Sequence, residues 1–189
     1  SYSSTFIRGR DVCRLHLLES VFLFGTATSL LIRSDIIRSR VPFYSETSYH
    51  EDTEACYEIL AHWDFGFVHQ VLSFSRTSNT SISSAAARYN PNLLDRYIQV
   101  MKYGEIYLSA EEFRRCRDDV TQEYYVFLGE SLLLRKPRDF WEYHHTGLRN
   151  ANLQLLRNDL IKYATISLFE RLLNPKDTLE KVIGRYRRG

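Results

Sequence analysis

Near residue 85 the chain changes character: it is mixed before that point and helical after it, with a Ser/Thr/Asn-rich run from Ser75 to Ser84 between the two. That run has a single apolar residue, Ile82, and so no core of its own, and two regions are expected, 1–85 and 86–189. In the second region the helix signals are explicit. Asn90-Pro91 is a cap followed by Pro at the first helical position, and Leu94, Tyr97, Ile98 and Met101 follow at helical spacing. Ser109 and Glu112 make a capping box ahead of Phe113, Cys116, Val120, Tyr124 and Phe127, which share one face. Pro137 opens a further helix that Gly147 is expected to end, and Leu153–Leu173 reads as another helical run. Asn174-Pro175 repeats the cap-and-Pro start before a last short helix.

The first region reads differently. Thr26–Arg33 is apolar and β-branched, and reads as a buried strand. Ser34 caps a short helical turn, Asp35–Ser39, and Pro42 marks a loop. From His50 to Trp63 the period becomes helical, with Cys56, Ile59, Leu60 and Trp63 on one stripe and Glu51, Glu54 and Glu58 on another side. Asp64 and Gly66 break that helix, and Phe67–Phe74 reads as a second strand.

Bulk properties exclude several classes. The 189 residues are 44% hydrophobic, enough for a real core. Lys and Arg total 25 against 23 Asp and Glu, too even a balance for a nucleic-acid binder. Three widely spaced cysteines, with no Cys-x-x-Cys, argue for reduced thiols in a cytoplasmic protein. The longest uncharged stretch, Ser20–Ile32, is 13 residues, well short of the roughly 20 that a membrane-spanning helix needs. The tail gathers Lys181, Arg185, Arg187 and Arg188, cations at a helix end that suit peripheral contact with an anionic membrane surface.

For chemistry, the most informative cluster is Tyr49-His50-Glu51-Asp52 at a helix start. Two carboxylates there face unpaired N–H groups and the positive end of the helix dipole. That position stabilises a helix, and it also supplies an ionised, fixed carboxylate of the kind a general base requires. His50-Glu51 is not a zinc-protease motif, because Glu54 stands where the second His belongs. His144 and His145 are neighbours whose side chains diverge by about 100° on a helix, and both are expected at the surface. Phe67–Phe74 leads to Arg76 in a polar loop, an arrangement that suits an anion because guanidinium pairs with phosphate oxygens.

In order and spacing, four segments resemble family 2 glycosyltransferases: Gly25–Arg33, Pro42-Phe43-Tyr44, His50-Glu51-Asp52 with its helix, and Asp64–Val68 with the strand to Arg76. The resemblance covers roughly residues 15–85. It implies an α/β fold, the acceptor-side, C-terminal part of a GT-A (Rossmann-like) catalytic domain, followed by an α-helical extension. It implies an inverting, non-processive enzyme in which Asp52 takes the proton of an acceptor hydroxyl while Glu51 supports it. Gly25, Thr26 and His50 would lie near the acceptor or donor sugar, and Arg76 and Ser78 near the donor diphosphate. The donor would be a nucleotide sugar, and the acceptor a glycan, a lipid-linked sugar or a protein. A divalent cation, Mg or Mn, would hold the diphosphate, bound mainly by an Asp-x-Asp motif that this sequence does not contain. With Ser1 as first residue, the nucleotide-binding half is expected ahead of this sequence and the chain alone is expected to be inactive. Ser78 stands where many members of the family have His, and the Gln-x-x-Arg-Trp motif of processive synthases is absent.

The alternative is a non-catalytic helical protein-interaction module, anchored by aromatic residues such as Phe140, Trp141 and Tyr143.

Overall fold

The computed structural model describes residues 5–19, 23–44, 51–72, 74 and 86–173, the side chains of 170–172 excepted. Among them are seven α-helices and two three-residue strands. The chain runs β1 (Thr5–Ile7), α1 (Gly9–Glu19), a 3-10 turn (Ala27–Ser29), α2 (Ser34–Arg38), α3 (Glu51–Leu60) and β2 (Phe65–Phe67). A second 3-10 turn (Ala87–Tyr89) then leads into α4 (Pro91–Tyr107), α5 (Ala110–Leu133), α6 (Arg138–Asn150) and α7 (Arg157–Leu173).

This architecture corrects the α/β, Rossmann-like GT-A expectation. The described strands form one antiparallel ribbon, with Thr5 opposite Phe67 and Ile7 opposite Phe65. Both expected strands fail for local reasons. In Thr26–Arg33, the Ser29 hydroxyl accepts the Thr26 N–H at 2.9 Å and donates to the Thr26 carbonyl at 2.8 Å. A side chain that closes on its own backbone removes groups a strand ladder would need. Gly25 enters this turn at φ +66°, a left-handed conformation that favours glycine. Leu31, expected to be buried, is 96% exposed. In Phe67–Phe74, the Gln70 N–H turns back onto the Val68 carbonyl at 2.8 Å, so the ladder ends at Phe67.

The helical signals fare better. Ser109 and Glu112 form the expected reciprocal cap, their bonds measuring 3.0 and 3.3 Å. Leu94, Tyr97 and Ile98 are buried on α4, and Cys116, Val120 and Tyr124 on α5. Asn90 joins the second 3-10 turn to α4 through a left-handed backbone, φ +53°, with Pro91 opening the helix. Gly147 does not end α6, which runs on to Asn150. The expected last short helix after Asn174 lies outside the described residues.

One core runs through the molecule, from Val12, Cys13 and Leu17 on α1, through Cys56, Tyr57 and Leu60 on α3, to Tyr97, Tyr124, Tyr125 and Phe140. Tyrosines fill much of it, and they need partners because a buried hydroxyl is costly unpaired. Tyr97 stacks on Tyr124 with ring centroids 4.9 Å apart. The Tyr125 hydroxyl accepts the Leu156 N–H at 2.9 Å, which pins the start of α7 to α5. Along the same seam Gly129 lets the two helices approach closely, since a Cβ there would stand 2.7 Å from the Ala164 nitrogen.

His144 corrects the surface expectation: it is fully buried. Its Nε2–H donates to the Tyr89 carbonyl at 3.0 Å, so its Nδ1 accepts the Tyr124 hydroxyl, also at 3.0 Å. Burial lowers its pKa to about 4, and does the same to His16. Each ring therefore binds a proton near pH 6.5 when unfolded but only near pH 4 when folded. Stability is full above pH 6.5 and drains away as the pH falls through that window. We expect the urea midpoint to drop steadily from pH 6.5 to pH 4, and a His144→Gln variant to show a shallower decline. In a second test, Gly129→Ala should destabilise by about 1–3 kcal/mol, read by chemical denaturation. Gly66→Ala, which meets nothing within 4 Å, serves as the near-neutral control.

Candidate functional site

The site is built on α3. Tyr57 is fully buried at the centre of that helix. Its ring stacks on Tyr103 at 4.6 Å and meets Phe24 edge-on at 5.5 Å. Its hydroxyl and His16 Nδ1 share a hydrogen bond of 2.6 Å, and the Tyr107 hydroxyl donates to its carbonyl. These contacts fix the roll of α3. With about 100° between successive residues, Glu51, Ala55 and Glu58 then fall about 100–160° round the helix from Tyr57, and Glu54 about 60° from it. They form one wall of a cleft of about 270 Å³, whose other lining residues are Arg40, Pro42, Phe43 and Tyr44. Its volume lies just under the ~300 Å³ at which small-molecule sites begin.

The carboxylates of this wall are fixed. Glu58 pairs with Arg40 and accepts the Tyr103 hydroxyl at 3.3 Å, while Glu54 pairs with Lys102 at 3.3 Å. Glu51 has no such cation among the ion pairs of the described residues. Opposite, Phe43 and Tyr44 meet edge to face at 4.8 Å, and the Arg40 guanidinium sits 5.6 Å from the Phe43 ring centre. Arg40 Nη1 is buried with no hydrogen-bond partner among the described residues. Arg40 was not anticipated; its one sequence signal is a cation two residues before Pro42.

Asp52 stands one residue along, on the flank of the same first turn, and does not line the cleft. Its Oδ1 accepts the Thr53 N–H at 2.8 Å. It remains within electrostatic reach of the cleft: the Tyr44 hydroxyl is held above the usual tyrosine range by burial first, then by the charges of Asp52, Cys56 and Glu51. Gly25 and Thr26 form their own tight turn and are not part of the lining, although the Phe24–Tyr57 contact sets that turn against α3. His50, Arg76 and Ser78 lie outside the described residues.

The chemistry of the donor set is decided by charge. Three glutamates face one arginine, which opposes a diphosphate and suits a neutral, hydroxyl-rich guest. Carboxylates accept O–H hydrogen bonds, and the aromatic pair offers an apolar wall. Among the described residues no group of three or more His, Cys, Asp or Glu side chains is placed to hold a metal ion. The divalent cation that the family resemblance implies was expected mainly on an Asp-x-Asp motif that this sequence does not contain. Of the expected interaction anchors, Phe140 is 1% exposed, and Trp141 and Tyr143 are half-buried against the same core.

Comparison of the chain with protein-family models, with curated proteins and with solved structures gives no match.

Trp63 also differs from expectation. It is 42% exposed rather than an interior residue of α3, and the Arg33 guanidinium lies 4.5 Å from its ring centre. Tyr57, not Trp63, is the aromatic anchor of the helix. Tyr57→Ala should cost about 3–5 kcal/mol, whereas Trp63→Ala should cost under about 1 kcal/mol, both measured by urea unfolding.

Proposed function

We propose that this chain supplies the acceptor side of an inverting, non-processive glycosyltransferase, with Asp52 as the general base. The observation that carries the reading is the convergence of two separate segments on one concavity. Pro42, Phe43, Tyr44 and Glu51, from two of the segments that carry the family resemblance, line one cleft. The acidic, aromatic lining suits a sugar hydroxyl.

In this reading an acceptor sugar enters along the Phe43–Tyr44 wall, one of its hydroxyls donating to Glu51 and the hydroxyl that attacks donating to Asp52. Its oxygen attacks the anomeric carbon of a nucleotide sugar, Asp52 receives the hydroxyl proton, and the nucleoside diphosphate departs with the electron pair of the broken bond. A carboxylate is a weak base, so its contribution is to hold position and accept the proton late. The Thr53 N–H bond to Asp52 supplies that fixed position. The reading brings no Rossmann-like layer with it. The acceptor is a glycan, a lipid-linked sugar or a protein; nucleic acid is not a partner, given the even charge balance.

In the protein that carries this chain, Asp52→Asn should lower turnover about a thousandfold and leave nucleotide-sugar binding in place. Glu51→Gln should act mainly on the acceptor's KM. Steady-state kinetics with both substrates varied reads the two effects separately; an Asp52→Asn protein with full turnover would end the proposal.

A further inference from the structure

The cleft on α3 carries a charge that its own residues do not balance. Its lining holds three carboxylates, Glu51, Glu54 and Glu58, against one guanidinium, that of Arg40. Arg40 pairs with Glu58, and Lys102 pairs with Glu54 at 3.3 Å from outside the lining. Glu51 is half-buried and takes part in none of the ion pairs of the described residues. One negative charge is therefore left over inside a concave, partly desolvated site. The Tyr44 hydroxyl sits in the same field: burial first, then the charges of Asp52, Cys56 and Glu51, hold it above the usual tyrosine range. The aromatic pair Phe43 and Tyr44, 4.8 Å apart, lines the cleft as well.

We propose that the guest of this cleft is a sugar bearing one primary ammonium group, which pairs with Glu51 within reach of the Phe43–Tyr44 rings. This rests on the reading of the cleft as an acceptor site and names the class of acceptor. A carboxylate without a counter-ion forms a charge-assisted hydrogen bond with an ammonium, and aromatic rings attract the same group. An anionic guest meets repulsion. A neutral, hydroxyl-rich guest fills the cleft but leaves the charge of Glu51 unmatched, and a single ammonium matches it. The other carboxylates are already paired, so they serve the remaining ring hydroxyls as acceptors. That division of labour favours an amino sugar over a plain alkyl amine.

The test is titration of the full chain with glucosamine, glucose, N-acetylglucosamine and n-butylamine, read by calorimetry. Glucosamine is expected to bind about tenfold tighter than glucose or n-butylamine. N-acetylglucosamine, whose amide carries no charge, should bind no tighter than glucose. Raising the salt should narrow the preference, and raising the pH until the amine is neutral should abolish it. Glu51→Gln should bring glucosamine down to the glucose level with an unchanged circular-dichroism melt. Should that variant shift the melt, Phe43→Leu replaces it, with an expected loss of about threefold in the preference. Equal affinity for the three sugars overturns the inference and leaves the acceptor reading in place. A preference that Glu51→Gln does not change, or n-butylamine binding as tightly as glucosamine, overturns it too. No binding of any sugar ends the inference and the acceptor reading together.

Discussion

The buried Tyr57 ring sets everything that surrounds the cleft. A ten-residue helix has little stability of its own in water and takes its orientation from what it buries. On α3 that is one tyrosine, stacked on Tyr103, crossed by Phe24 and His16, and bonded through both its hydroxyl and its carbonyl. So many contacts on one side chain leave a single roll angle for the helix. The three glutamates, about 60–120° round the helix from Tyr57, are thereby turned into the cleft that Phe43 and Tyr44 also line. Rotate α3 by one residue position, and the cleft would present Asp52 and Ile59 instead of Glu51 and Glu58.

The same packing explains why an acidic wall is stable. Glu54 is paired from outside the cleft by Lys102 and Glu58 from within its lining by Arg40, and Tyr103 links the core to Glu58. Tyr103 therefore acts twice, as a stacking partner for Tyr57 and as a hydrogen-bond donor to the wall. Its hydroxyl proton is held tightly, chiefly by burial and then by the charges of Glu54 and Glu58, so it stays a donor at any physiological pH.

What the sequence discloses depends on how local the signal is. The Ser109–Glu112 box and the spacing of Leu94, Tyr97 and Ile98 report interactions within one or two turns, and the structure contains them. The Glu51–Glu54–Glu58 face is likewise legible, because helical period alone groups those residues. Strands are another matter, since a strand exists only through a distant partner. Thr26–Arg33 has the composition of one, but Ser29 closes on Thr26 and no partner strand arrives. Burial of single residues was equally illegible where it turned on tertiary neighbours. His144 looks like a surface residue beside His145, and only the carbonyl of Tyr89 and the hydroxyl of Tyr124 make its interior position tolerable. Trp63 lies past the end of α3, so the helical stripe that seemed to bury it stops at Leu60. Arg40 joined the cleft through a loop whose path no periodicity encodes.

In the proposed reading, a sugar hydroxyl held in this cleft meets the anomeric carbon on the face opposite the departing diphosphate. Displacement from that face inverts the carbon that receives it. The decisive measurement is the anomeric configuration of the product, read by proton NMR, when the protein carrying this chain is given α-linked nucleotide sugars and a sugar acceptor. The account predicts a product of inverted, β configuration; an α-linked product, or no transfer from any donor, would contradict it.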